Sequence, residues 1–136
     1  SGAVLVIDDD PQLIEAMQRL LHEWGHASVA AGGVAEAVAA ASRAEAAGGL
    51  ALVVSDYQLA EGEDGIAAIR AVTERIGRSV PAILLSGNTS PGAAQAAQRH
   101  GYPLLHKPVE PAALLAVIQQ LAQAASRIEA TTATPA

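Results

Sequence analysis

Five short aliphatic runs recur along this 136-residue chain, and each is followed by a longer stretch with helical patterning. The runs are Ala3–Ile7, Ala27–Ala31, Leu50–Ser55, Val80–Leu85 and Pro103–His106. They are mostly continuous rather than alternating, the pattern of strands covered on both faces. The helical stretches are Pro11–Trp24, Val34–Ala47, Asp64–Ile76, Pro91–His100 and Glu110–Ala124. In the first, Leu13, Ile14, Met17, Leu21 and Trp24 share one stripe, with Pro11 suited to the opening turn and Gly25 as a stop. Ile66, Ile69, Val72 and Ile76 share a face of the third, and Leu114, Ile118 and Leu121 one of the fifth. The fourth, with Ser90 as expected N-cap, has only Ala as apolar content and should pack shallowly. Five strands alternating with five helices in one domain require a parallel sheet, helices on both faces and right-handed crossovers.

The expected fold class is therefore α/β, a doubly wound five-stranded parallel sheet in the flavodoxin-like order 2-1-3-4-5. Phe is absent and Ala is the commonest residue, so the core must be aliphatic and the helices alanine-rich. A formal charge of −6 leaves no electrostatic footprint for nucleic acid. The lack of Cys excludes disulfides, thiolate metal sites and a cysteine nucleophile. Charged residues and glycines interrupt every run before the roughly 18 to 20 apolar residues of a membrane helix, so no membrane contact by this domain is expected. Ser1-Gly2 reads as a cleavage scar, residues 3–125 as the domain, and 126–136, small and polar, as a flexible tail or linker.

Ligands of such sheets sit beyond the carboxyl ends of the strands. There the first run meets Asp8-Asp9-Asp10, the third Asp56, the fourth Ser86 and the fifth Lys107. Four of the chain's five Asp and its only Lys thus gather at one rim. Converging carboxylates repel unless their pKa values rise or a hard cation joins them, and Mg²⁺ suits an oxygen donor set that lacks Cys and paired His. Such a site fits phosphoryl transfer: the cation, the Lys107 ammonium and the Ser86 hydroxyl can neutralise phosphoryl oxygens, and an Asp can form an acyl phosphate.

Val-Ile-Asp-Asp-Asp-Pro, Val-Val-Ser-Asp56-Tyr-Gln-Leu, Ile-Leu-Leu-Ser86-Gly and Lys107-Pro108 together resemble the receiver (response regulator) domain of two-component signalling, from about Ala3 to Ala124. The resemblance implies the CheY-like version of the fold, with Asp56 as phosphoacceptor and Asp9 as a direct Mg²⁺ ligand. It implies Asp8 acting largely through metal-bound water, the Gln58 main-chain carbonyl as a further ligand, and Ser86 and Lys107 on phosphoryl oxygens. It also implies a cis Lys107-Pro108 bond. The phosphoryl donor would be a phosphohistidine on a histidine kinase or histidine phosphotransfer domain, and the domain would slowly hydrolyse its own phosphoryl group. A cytoplasmic domain is expected, here the C-terminal receiver of a hybrid sensor histidine kinase whose parent chain is membrane-anchored; a stand-alone response regulator is the alternative. The faces of Pro11–Trp24 and Glu110–Ala124 offer docking or homodimer surfaces.

Two departures from the family pattern stand out. The loop Leu59-Ala60-Glu61-Gly62-Glu63-Asp64-Gly65 lacks the usual proline and is one residue longer, and Leu104 occupies the place of the Tyr or Phe that swings inward on phosphorylation. Phosphorylation is then expected to be reported mainly by the Ser86 loop and the helix Pro91–His100. A haloacid-dehalogenase-type phosphatase, with Asp8 as nucleophile and Asp10 as acid, and a phosphorylation-incompetent scaffold are the remaining readings. Asp64-Gly65 reads as a helix start rather than a ligand. His22, His26, His100 and His106 lack pair spacing, and strand alternation should turn His106 from the site. Glu23, Glu36, Glu45 and Glu129 read as solvated.

Overall fold

The computed structural model describes residues 2–87 and 90–133, those from 125 onward by backbone alone. Ser1 of the expected scar and the end of the expected tail, 134–136, lie outside the described residues. The elements run β1 (Ala3–Ile7), α1 (Pro11–Glu23), β2 (Ser28–Ala31), α2 (Val34–Ala47), β3 (Leu50–Asp56), α3 (Gly65–Ile76), β4 (Ala82–Ser86), α4 (Ala93–His100), β5 (Leu104–His106) and α5 (Pro111–Ala133). All strand pairs are parallel, in the order β2-β1-β3-β4-β5.

The continuous aliphatic runs supply both faces of this sheet. Leu5, Ile7, Val53 and Leu84 point to one side, where they meet α2 through Ala37, Ala40, Ala41 and Ala44 and α3 through Ile69 and Val72. Val4, Val6, Val54, Ile83 and Leu85 point to the other, against Met17 and Leu21 of α1 and Leu114 and Ile118 of α5. The buried alanines of α2 let that helix lie close to the sheet, so a core without Phe still closes. Burying each Val, Leu, Ile or Met side chain of this core contributes about 1.5–3 kcal/mol. As its Ala content implies, α4 inserts only Ala93 and Ala97.

Three expectations at the edges of elements need correction. Ser90 does not cap α4: Gly92, at φ 83°, is the N-cap, and Ser90 Oγ instead accepts from the Gly87 amide at 3.1 Å. Helix α5 runs past Ala124 to Ala133, well into the segment read as a tail, because neither Gly nor Pro interrupts residues 112–133. Glu45 is not simply solvated. It accepts from the Leu50 amide at 2.9 Å and pairs with Arg78 at 2.7 Å, tying the end of α2 to the start of β3, and these partners hold its carboxyl down to about 2. Among the described residues, no helix is long and apolar enough to cross a membrane.

Candidate functional site

β1, β3 and β5 deliver the acidic residues and the lysine to one rim. The three aspartates after β1 divide their tasks. Asp10 turns to α1 and caps it, accepting from the Gln12 amide at 3.0 Å, which with Pro11 starts the helix. Asp8 is fully buried, and its Oδ1 accepts from the Asp10 amide at 2.9 Å. Asp9 stays exposed on the cleft wall. Carboxylate oxygens of Asp8, Asp9 and Asp56 lie within 4.8 Å of one another, while Asp10 is spent on its helix. That arrangement removes the acid the phosphatase reading required.

Asp56 ends β3, 6% exposed. Its Oδ1 accepts from the Gln58 amide at 3.3 Å and its Oδ2 from Lys107 Nζ at 2.9 Å. The same ammonium lies 2.9 Å from Asp8 Oδ2, so one cation bridges two buried carboxylates. Even so, Asp8 Oδ2 has no well-directed hydrogen bond among the described residues. Burial raises the Asp8 carboxyl above its ordinary range against the opposing pull of Lys107 and the Asp10 amide. Burial also works against the Lys107 charge, but its contacts with Asp56 and Asp8 outweigh this and raise its pKa. Lys107-Pro108 is cis.

The longer loop after β3 is closed by local pairing. Tyr57 O accepts from the Gly65 amide at 2.7 Å and Glu63 O from the Leu59 amide at 2.9 Å, bracketing a Gln58–Asp64 bridge. These bonds use the flanking residues, which leaves the Gln58 amide for Asp56. A 3₁₀ turn, Ala60–Gly62, fills the tip, with Glu61 in the left-handed region at φ 62°. Asp64 caps α3 by accepting from the Ala67 amide at 2.8 Å, as the helix-start reading expects. Three further contacts escaped the sequence. Glu63 Oε1 accepts from the Val34 amide at 3.1 Å and holds the loop to α2, and Ser90 Oγ lies 3.4 Å from Gln58 Oε1 across the cleft. His106 stays out of the cleft lining, as alternation expects, but its Nδ1 lies 2.9 Å from Ser86 Oγ. Parallel register explains it, since Ser86 and His106 are directly paired and project from the same face. Register between strands distant in sequence is the signal a single-strand pattern lacks.

The buried Asp8 carboxylate beside those of Asp9 and Asp56, with one oxygen lacking a well-directed hydrogen bond, is a donor set that fits a hard divalent cation. Between the ordinary 3.8 of Asp and the raised native value, the folded chain keeps the Asp8 proton that the unfolded chain has lost. Stability of the metal-free protein therefore falls as pH rises through that window, and the deficit persists above it. Asp8→Asn should raise metal-free stability at pH 7 and should blunt the upward shift in thermal midpoint expected of the parent on adding Mg²⁺. Thermal melts with and without Mg²⁺ check both.

A doubly wound parallel α/β domain with a carboxylate cluster and one lysine at its carboxyl rim defines the receiver class of signalling domains. The family model for the response regulator receiver domain matches residues 4–119, and the chain belongs to that family. Among solved structures it is similar to a response regulator receiver domain protein from Clostridium thermocellum, at 21% identity and TM-score 0.79, covering 94% of this chain and 99% of that one. It is also similar to the Vibrio cholerae chemotaxis protein CheY4, at 26% identity and TM-score 0.74 over 89% and 99% of the two chains. A response regulator receiver protein from Pseudomonas putida matches at 27% identity and TM-score 0.69, over 88% and 96%. No curated protein matches the chain significantly.

Proposed function

We propose that this receiver domain accepts a phosphoryl group on Asp56 from a phosphohistidine of a histidine kinase or histidine phosphotransfer domain. The observation that carries the reading is Lys107 Nζ at 2.9 Å from Asp56 Oδ2 and from Asp8 Oδ2, which sets the chain's single lysine over the carboxylate at the mouth of the cleft. An Asp56 oxygen attacks phosphorus, a P–O bond forms, the P–N bond to the donor imidazole breaks, and the ring nitrogen leaves with its electron pair.

Asp8, Asp9, Asp56 and the Gln58 carbonyl would hold Mg²⁺, which when bound supplies charge neutralisation for the phosphoryl oxygens. The chain's own groups do the positioning. Lys107 compensates negative charge on the acceptor, the Gln58 amide holds one carboxylate oxygen, and Gly87 and Ser90 line the cleft on the β4 side. Ser86 at the end of β4 is the hydroxyl that turns to a phosphoryl oxygen once the acyl phosphate exists.

Treatment with acetyl phosphate and Mg²⁺, borohydride trapping and peptide mapping tests this. Label is expected on Asp56, and chelation of Mg²⁺ should suppress it at least about tenfold. Label on Asp8, or none, would overturn the assignment.

A further inference from the structure

We infer that His106 is a positioning residue that latches the Ser86 hydroxyl away from the phosphoryl site, so that phosphorylation is read by breaking the Ser86–His106 contact. The inference rests on the Asp56 phosphoacceptor reading and deepens it. Ser86 is 4% exposed, and its Oγ meets the His106 Nδ1 at 2.9 Å. Gly87, Ser90 and Pro91 form the cleft wall on this side, while the Ser86 hydroxyl faces β5. Either ring tautomer holds the oxygen there, as donor or as acceptor.

While its oxygen is held against the imidazole on β5, the Ser86 hydroxyl is turned from the phosphoryl site, whichever group carries the shared proton. When three phosphoryl oxygens arrive at Asp56, Ser86 must trade the imidazole for one of them, and the latch strength sets how readily it does so. His106 lies exposed on the edge strand β5, so the freed ring changes the face that a partner meets. Leu104 lies one alternation earlier on the same strand, half-buried against the core, and offers no aromatic hydroxyl to follow Ser86 inward. The polar responder on β5 is therefore His106, two residues later.

The test is titration of the intact chain with beryllofluoride and Mg²⁺, a phosphoryl mimic, followed by NMR of the His106 ring nitrogens and the Ser86 amide. In the parent, saturation should move the His106 Nδ1 resonance from its bonded to its free position. His106→Phe, which keeps the ring bulk but cannot bond, should bind the mimic about fivefold more tightly. His106→Asn, which retains a polar atom at the Nδ1 position, should stay close to the parent. In a Ser86→Ala background the Phe substitution should change nothing further.

Parent affinity in His106→Phe, a gain that survives in Ser86→Ala, or a ring signal unmoved at saturation would each overturn the latch while leaving the acceptor assignment intact. A parent that neither binds the mimic nor labels at Asp56 would overturn the acceptor reading and the latch with it.

Discussion

Asp56→Asn is expected to abolish phosphoryl incorporation from acetyl phosphate, a loss of at least about a hundredfold, while the domain stays folded. The amide keeps the volume and can still accept from the Gln58 amide that now meets Asp56 Oδ1 at 3.3 Å. What disappears is the anionic oxygen facing Lys107 and with it the nucleophile. The neighbouring carboxylates do not take over. Asp8 is fully buried with Oδ1 engaged by the Asp10 amide, so it is aimed inward rather than at an incoming phosphorus. Asp9 lines the cleft, but the Lys107 ammonium pairs with Asp8 and Asp56 and not with it. Phosphate-affinity electrophoresis of parent and variant after donor treatment reads the effect, and a retained acid-labile label in the variant would move the nucleophile elsewhere. Because Asn at 56 also relieves repulsion with Asp8, its metal-free thermal midpoint should not fall below the parent's.

Strand order and the rim that carries the aspartates were legible because each aliphatic run is short, continuous and followed by a patterned helix. Sequence spacing alone then places Asp8, Asp9, Asp56, Ser86 and Lys107 at carboxyl ends, and the coordinates put Asp8, Asp9 and Asp56 within one carboxylate cluster. What stayed hidden depends on pairs of residues far apart in the chain. Whether His106 faces Ser86 is decided by the register of β4 on β5, and β5 is only three residues long, too short for alternation to fix its phase. Glu63 finding the Val34 amide, and Ser90 serving its own loop rather than α4, follow from loop closure, where side-chain hydrogen bonds compete with helix capping. The extent of α5 is hidden for a simpler reason: Ser and Thr in 126–132 lower helix propensity but do not forbid a helix already nucleated upstream.

Gly65→Ala should destabilise the domain by about 3 kcal/mol, and it should do so by displacing the acceptor rather than by stiffening a helix. Gly65 is the first residue of α3, buried, where alanine would ordinarily be the better helix former. A methyl there, however, would run into the Asp56 carbonyl oxygen and would lie 3.0 Å from Ser55 Oγ and 3.1 Å from Leu84 Cδ2. Two of those obstacles cannot yield cheaply. The Asp56 carbonyl is backbone at the end of a buried strand, and Ser55 Oγ is fixed by its own bond to that carbonyl at 3.0 Å. Relief requires moving the start of α3 outward, which stretches the 2.7 Å bond from the Gly65 amide to Tyr57 O and loosens the Gln58–Asp64 bridge. Gln58, whose amide holds Asp56 Oδ1, is one residue of that bridged pair, so the variant should also label more slowly than its lost stability explains. Urea unfolding separates the two effects: at a denaturant-free temperature where parent and variant are both fully native, a residual labelling deficit reports the shifted acceptor, and equal labelling would confine Gly65 to a packing role.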